Sequence, residues 1–242
     1  SLKDFKKVKK IIIGGAKIND VLEKKLLKHP ETICYETYGM TETSPVSTQT
    51  RIGAPLAKQV GTVGQVHPHV EVKIINPKTQ QVVPIGTPGE LCTRGYSVML
   101  GYWGNEEETR KAIDEARWMH TGDLATLDEE GYINIVGRIK DIILRGGENI
   151  FPREIEEVLN KHEAVKDSGV VGKMDPMRGE LPVAFVELRE GVNPKSFDAN
   201  SLRSWCRQSL AGYKVPDEVR VMEALPRNAT GKIMRRELKK LI

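Results

Sequence analysis

Several stretches of this chain carry side chains that a packed core does not need. Gly14-Gly15-Ala16 closes an apolar strand with almost no side chain, which would let a flat group lie against the backbone. An ordinary strand-to-helix turn would have the same composition. Tyr38-Gly39-Met40-Thr41-Glu42-Thr43 sets an aromatic face, a bare glycine, two hydroxyls and a carboxylate directly after a strand. An aromatic ring can stack on a base, a hydroxyl can bind a phosphate oxygen, and a carboxylate can hold Mg²⁺ beside it. The competing reading is a capped helix start, which Thr41, Thr43 and Ser44 would suit. Asp123, ending Trp118-Met119-His120-Thr121-Gly122-Asp123, offers a carboxylate after a glycine turn. A carboxylate can accept from two neighbouring hydroxyls, as in ribose recognition, and Arg138 could grip the same ribose or a phosphate. His120 has no evident partner in the sequence and reads as structural.

Lys232 stands in Thr230-Gly231-Lys232, on a loop before a basic last helix. A lysine on a mobile loop suits charge that develops on a phosphate in a transition state. The loop is not a Walker P-loop, because Pro226 stands where the first glycine should be and Ile233 where Ser or Thr should be. Kinase-like and GTPase-like chemistry therefore drops out. The basic face of the last helix (Arg235, Arg236, Lys239, Lys240) reads as solvated surface, with contact to a nucleotide's phosphates or to nucleic acid the alternatives. His67 and His69 flank Pro68 with no Cys or acidic residue at ligand spacing, so no metal site is expected there.

Elements that must position these residues follow from hydrophobic period and turn residues. Residues 10–16 read as a buried strand, 18–28 as a helix, and Ile33–Tyr38 as a strand, together the edge of an α/β layer. From Gly53 to Gly137, short β segments (Val70–Ile75, Glu90–Thr93, Ile133–Val136) alternate with Gly and Pro turns, which predicts an antiparallel barrel-like or sandwich-like unit. A helix is expected over Asn105–Ala116. Gly137–Pro152 pairs an apolar strand (Ile139, Ile142, Ile143, Leu144) with a Gly146-Gly147 break and reads as a hinge and flexible loop. Beyond it, helices are expected over Arg153–Lys161, about Asn200–Leu210 and Ile233–Leu241. Strands are expected at Ser168–Val171, Pro182–Leu188 and Glu218–Met222. The fold expected is α/β and α+β in two domains. Residues 1–138 form the end of a large domain and 139–242 a small mobile carboxy-terminal domain.

Composition agrees with a globular protein in a reducing compartment. The 242 residues are 39% hydrophobic and 29% charged. No apolar run approaches the length of a membrane span, and no signal peptide is visible. Net charge is +4, too mild to argue for nucleic acid. Cys34, Cys92 and Cys206 form neither a disulfide framework nor a metal-ligand pattern. The cytoplasm is the expected location, with the mitochondrial matrix the alternative.

In order, GGA, YGMTETS, GELCTRGYSVMLGYW, WMHTGDLA, GRIKDIILRGGENIFPREIE and PRNATGKIMRREL closely resemble the adenylate-forming superfamily of acyl-CoA synthetases, luciferase and adenylation domains. The wording is most similar to medium- and long-chain fatty acyl-CoA synthetases. The resemblance implies that Gly14, Gly15 and Ala16 border the adenine of ATP or AMP, with Tyr38 stacking on it beside Gly39. Thr41 would touch the α-phosphate, Glu42 would bind Mg²⁺, and Asp123 with Arg138 would hold the ribose. Lys232 would orient the substrate carboxylate and the α-phosphate. Lys140 falls at the hinge position, and Gly146, Gly147 and Glu148 would line the pantetheine tunnel for coenzyme A. The superfamily's phosphate loop and most of its acyl pocket are missing. The chain is therefore expected to be the carboxy-terminal part of a longer ligase, inactive without its amino-terminal part. The partners implied are a carboxylic acid (a fatty acid foremost), ATP and CoA, with no nucleic acid. Two alternatives are a non-catalytic nucleotide-binding or interaction module of this fold and an enzyme that loads a carrier protein.

Overall fold

The computed structural model describes residues 9–15, 33–194, 196–229 and 231–242. Ala16, the expected helix over 18–28 and Thr230 lie outside the described residues. The chain divides into two compact units, Ser1–Val136 and Gly137–Ile242.

In the first unit, β1 (Lys10–Gly14) pairs in parallel with β2 (Ile33–Tyr38). Two short strands, β3 (Thr48–Gln49) and β4 (Gln65–Val66), complete this sheet. Helix α1 (Leu56–Gly61) lies between them in sequence. A second sheet is a meander of β5 (Val70–Ile75), β6 (Gly89–Gly95), β7 (Met119–Leu127) and β8 (Ile133–Arg138). Its apolar face packs Ile74, Leu91, Ala125 and Ile133. The expected barrel-like texture is present as this antiparallel meander, but the sheet stays open, since its four strands are too few to close on themselves.

Helix α2 (Glu106–Ala112) starts where Asn105 accepts the amide of Glu108 at 3.1 Å. Three glutamates in the first turn complement the positive end of its dipole. It stops short of the expected Ala116. Ile113 turns extended to bury its side chain and to bridge Met119, so burial outweighs further helix.

The second unit has one five-stranded sheet covered on both faces. Strand β12 (Gly179–Leu188) is its centre, paired antiparallel with the edge strand β11 (Val165–Asp175) on one side and, on the other, meeting the hairpin β9 (Ile143–Arg145) and β10 (Glu148–Ile150). β13 (Glu218–Met222) runs parallel to β12. The two-residue period of β11 and β12 decides what covers each face. Val170, Ala184 and Val186 meet helix α3 (Pro152–Leu159) through Ile155 and Leu159, and helix α4 (Ala199–Arg207) through Leu202 and Cys206. Val171, Val183 and Phe185 meet Leu238 of helix α5 (Arg235–Lys239) on the other face. Burying each of Ile155, Leu159 and Leu202 is worth about 2 kcal/mol, and all three are fully buried. Pro152 opens α3, where no helical amide is needed. Asp198 caps α4 by accepting the amides of Asn200 and Ser201.

Candidate functional site

In the first unit the end of β2 and the middle of β7 meet. The Tyr38 hydroxyl donates to Asp123 Oδ2 at 2.7 Å, joining two residues that the sequence set apart. Asp123 is buried and Tyr38 half-buried. At the tip of β1, Gly14 faces Thr37 so closely that a Cβ would lie 2.7 Å from the Thr37 hydroxyl, which donates to Ile13 O. Gly15 has φ +80°, a left-handed backbone that glycine adopts freely. Gly14, Gly15, Tyr38 and Gly39 thus sit at the ends of paired parallel strands, where an open α/β sheet receives ligands.

The segment Thr41–Thr43 is a single 3-10 turn rather than a helix start. Thr43 is buried and spent on the turn: its hydroxyl accepts the Met40 amide and donates to Met40 O. Thr41 is exposed, so of the two hydroxyls it is the one presented outward. Glu42 accepts the Tyr102 hydroxyl at 3.0 Å, and its carbonyl accepts the Met99 amide at 2.8 Å. Burial and this bond to Glu42 both raise the Tyr102 phenol above its ordinary range, keeping it a donor. Tyr102 is a positioning partner that spacing could not reveal, because it lies far along the chain from Glu42.

Asp123 lies in a bulge inside β7, not after a turn as its Gly122 implied. The pairs Glu90–Leu124 and Cys92–His120 leave Thr121, Gly122 and Asp123 opposite Leu91 alone. Gly122 takes φ +68°, and the kink re-aims the side chains beside it. The bulge is stapled: Thr121 Oγ1 donates to Leu91 O at 2.6 Å, and the Gly122 amide donates to Glu90 Oε1 at 3.1 Å. His120, which showed no partner in the sequence, lies 3.0 Å from the other Glu90 oxygen through Nδ1 and 3.9 Å from Asp114 through Nε2. Cys92 joins this group, so Glu90, Cys92 and His120 bring oxygen, sulfur and nitrogen atoms within 4.8 Å. This mixed trio, with one cysteine, arises across two strands and was not visible in the spacing of the sequence. Both Glu90 oxygens already hold protein partners. Burial, and then the Glu90 charge, pushes the Cys92 thiol up to about 12. The trio is therefore read as a structural staple for the bulge.

In the second unit the expected strand over Ile139–Leu144 begins only at Ile143. Arg138 ends β8 in extended conformation, and Ile139–Asp141, with Lys140 at its centre, is a 3-10 turn closed by the Ile142 amide on Ile139 O. Gly146-Gly147 is not a loose break but the two-residue turn of the β9–β10 hairpin. Its φ values of +58° and +88° are the pair that a type I′ turn demands. Glu148 opens β10, opposite Arg145. The Gly146 amide also donates to Arg178 O at 2.8 Å. Arg235 Nη2 reaches both Glu156 oxygens, at 2.8 and 2.6 Å, and its Nη1 lies 3.5 Å from Asp141 Oδ2. This ties the turn around Lys140 to α3 and to the start of α5.

Lys232 was expected on a mobile loop, yet its backbone is bound on both sides. Its amide donates to Asn228 Oδ1 at 2.8 Å and its carbonyl accepts the Asn228 amide at 2.9 Å. The Gly231 amide donates to Asn228 O at 2.9 Å. The Asn side chain mimics a backbone turn, as Asx residues do.

Residues 1–103 match the AMP-binding enzyme family, and residues 154–232 match the AMP-binding enzyme C-terminal domain. YngI of Bacillus subtilis, provisionally named an acyl-CoA synthetase, is 48% identical over 202 residues, covering 84% of this chain and 36% of YngI. The mitochondrial medium-chain acyl-CoA ligase ACSF2 of Danio rerio is 43% identical over 205 residues, covering 84% of this chain and 33% of ACSF2. The chain thus spans about a third of the length of these curated relatives. Among solved structures, o-succinylbenzoate-CoA synthetase (MenE) from Bacillus subtilis with its acyl-adenylate intermediate has TM-score 0.85 at 32% identity, covering 97% of this chain and 46% of MenE. MenE with ATP and magnesium ion gives 0.83 at 33% identity, covering 95% and 46%. With both family segments in order and the fold of a solved member, the chain belongs to the adenylate-forming, AMP-binding enzyme family.

Proposed function

We propose that this chain is the carboxy-terminal part of an ATP-dependent acid–CoA ligase acting on a fatty acid. The observation that carries the reading is the likeness to acyl-CoA ligases along most of the chain. A carboxylate attacks the α-phosphate of ATP, pyrophosphate leaves, and the thiol of CoA then displaces AMP from the acyl-adenylate. The protein's task in both steps is positioning and charge stabilisation. Gly14 and Gly15 leave room for the adenine beside the Tyr38 ring, and Asp123 with Arg138 takes the ribose. The exposed Thr41 hydroxyl meets the α-phosphate, and Lys232 steadies carboxylate and phosphate together. The Glu42 carboxylate, half-buried and held by Tyr102, is a hard oxygen donor that fits Mg²⁺, which would neutralise phosphate charge there. In the second step Gly146, Gly147 and Glu148 border the pantetheine arm, after rotation about Lys140.

A reducing aqueous compartment, the cytoplasm or the mitochondrial matrix, suits the free thiols of Cys92 and Cys206. Among the described residues no helix is long and apolar enough to cross a membrane. Product analysis of the full-length enzyme with ATP, CoA and a panel of fatty acids tests the proposal. One AMP per acyl-CoA is expected, and the 242-residue chain alone should give almost none. Release of ADP and phosphate would contradict it.

A further inference from the structure

The loop that carries Lys232 is gripped by a side chain to which no role has been given. Arg227 stands at the loop's entry, and its backbone bridges Ile233 across the loop. Its Nη1 donates to Gly231 O at 3.0 Å, the carbonyl of the peptide that leads into Lys232. Its Nη2 lies 2.6 Å from Asp167 Oδ2 on β11 and 3.7 Å from Glu187 Oε2 on β12. Both anchors are themselves fixed. Asp167 Oδ1 accepts the Ser168 amide and the Asn160 side chain. Glu187, with its side chain 8% exposed, also holds Lys166 and the Leu225 amide. One planar cation therefore connects the paired strands β11 and β12 to the residue before the lysine.

We propose that Arg227 is a positioning residue for Lys232. It fixes where the lysine's backbone stands relative to the sheet, while Asn228 sets the shape of the turn itself. This rests on the reading of Lys232 as the adenylation lysine. The guanidinium suits the task because its donors form a rigid fork that can serve a carbonyl and a carboxylate at once, whereas an ammonium is a point charge on a flexible stem. Catalysis that depends on placement is sensitive to small displacements, so loosening the loop should cost rate rather than affinity.

The test separates half-reactions in the full-length enzyme. Arg227→Met is expected to lower ATP–pyrophosphate exchange about a hundredfold with the KM for ATP little changed. Arg227→Lys should lie between it and the parent. Thioester formation from supplied acyl-adenylate should stay within about twofold in both, because the lysine acts only in the first step. In the 242-residue chain, amide exchange at Gly231 and Lys232 should speed up in Arg227→Met. Faster amide exchange with undiminished adenylation would overturn the proposal, and so would equal losses in the two half-reactions. A Lys232→Ala enzyme that still adenylates would instead overturn the reading of the lysine on which the proposal rests.

Discussion

Gly39 and Gly15 both stand where a nucleotide is expected, but for different physical reasons. A Cβ on Gly39 would lie 1.6 Å from Pro45 O and 2.9 Å from Val46 Cα, backbone atoms that cannot swing aside. A Cβ on Gly15 would meet nothing within 4 Å, and only its φ of +80° asks for glycine. Gly39→Ala should therefore destabilise the chain by about 3 kcal/mol, as overpacking does. Gly15→Ala should cost about 1 kcal/mol of backbone strain. Urea unfolding midpoints would rank the two, and a Gly39→Ala midpoint equal to the parent's would refute the packed turn. At this scale the sequence was informative about type and less so about use. YGMTETS showed hydroxyls and a carboxylate, but only pairing in space reveals that Thr43 is consumed by its own turn while Thr41 faces outward. The Tyr38–Asp123 bond spans 85 residues, and no local pattern encodes it.

Among the elements, those that local rules describe were legible and those that need a partner were not. β2 and β13 span the residues expected of them, Ile33–Tyr38 and Glu218–Met222. The bulge that aims Asp123 depends on β6, the strand opposite it, so it read as a turn. Gly146-Gly147 read as a break because β10, at three residues, is too short to show a period. The bonds that Asn228 and Arg227 make to the Lys232 loop were not legible, because a glycine and a lysine do not advertise them. The anchor Glu187 gives this unit a pH signature. Burial disfavours its charge, but the hydrogen bonds from Lys166 and the Leu225 amide outweigh it, so its carboxyl lies below the ordinary glutamate range. A depressed folded value means the stabilisation is fully present above the ordinary value of about 4.3 and is lost as pH falls through the folded value. Urea midpoints for the second unit should therefore decline on acidification, with a shallower decline in Glu187→Gln. Parallel acid limbs in parent and variant would remove Glu187 from the account.

As a whole molecule, the chain places its candidate residues in two units. Gly14, Gly15, Tyr38, Gly39, Thr41, Glu42 and Asp123 lie in the first, and Lys140, the hairpin glycines and Lys232 in the second. The connection passes through Gly137 and Arg138 into the turn around Lys140, whose far side Arg235 ties to α3 and α5. The proposed rotation would fall on the residues before Asp141, because Arg235 holds Asp141 within the second unit. Two half-reactions sharing one nucleotide site is the central claim, and Lys232 is where they part. In the full-length enzyme, Lys232→Ala should lower ATP–pyrophosphate exchange by about a hundredfold or more. The same variant should still convert supplied acyl-adenylate and CoA to thioester at close to the parent rate. Loss of both activities together, or of neither, would contradict the account.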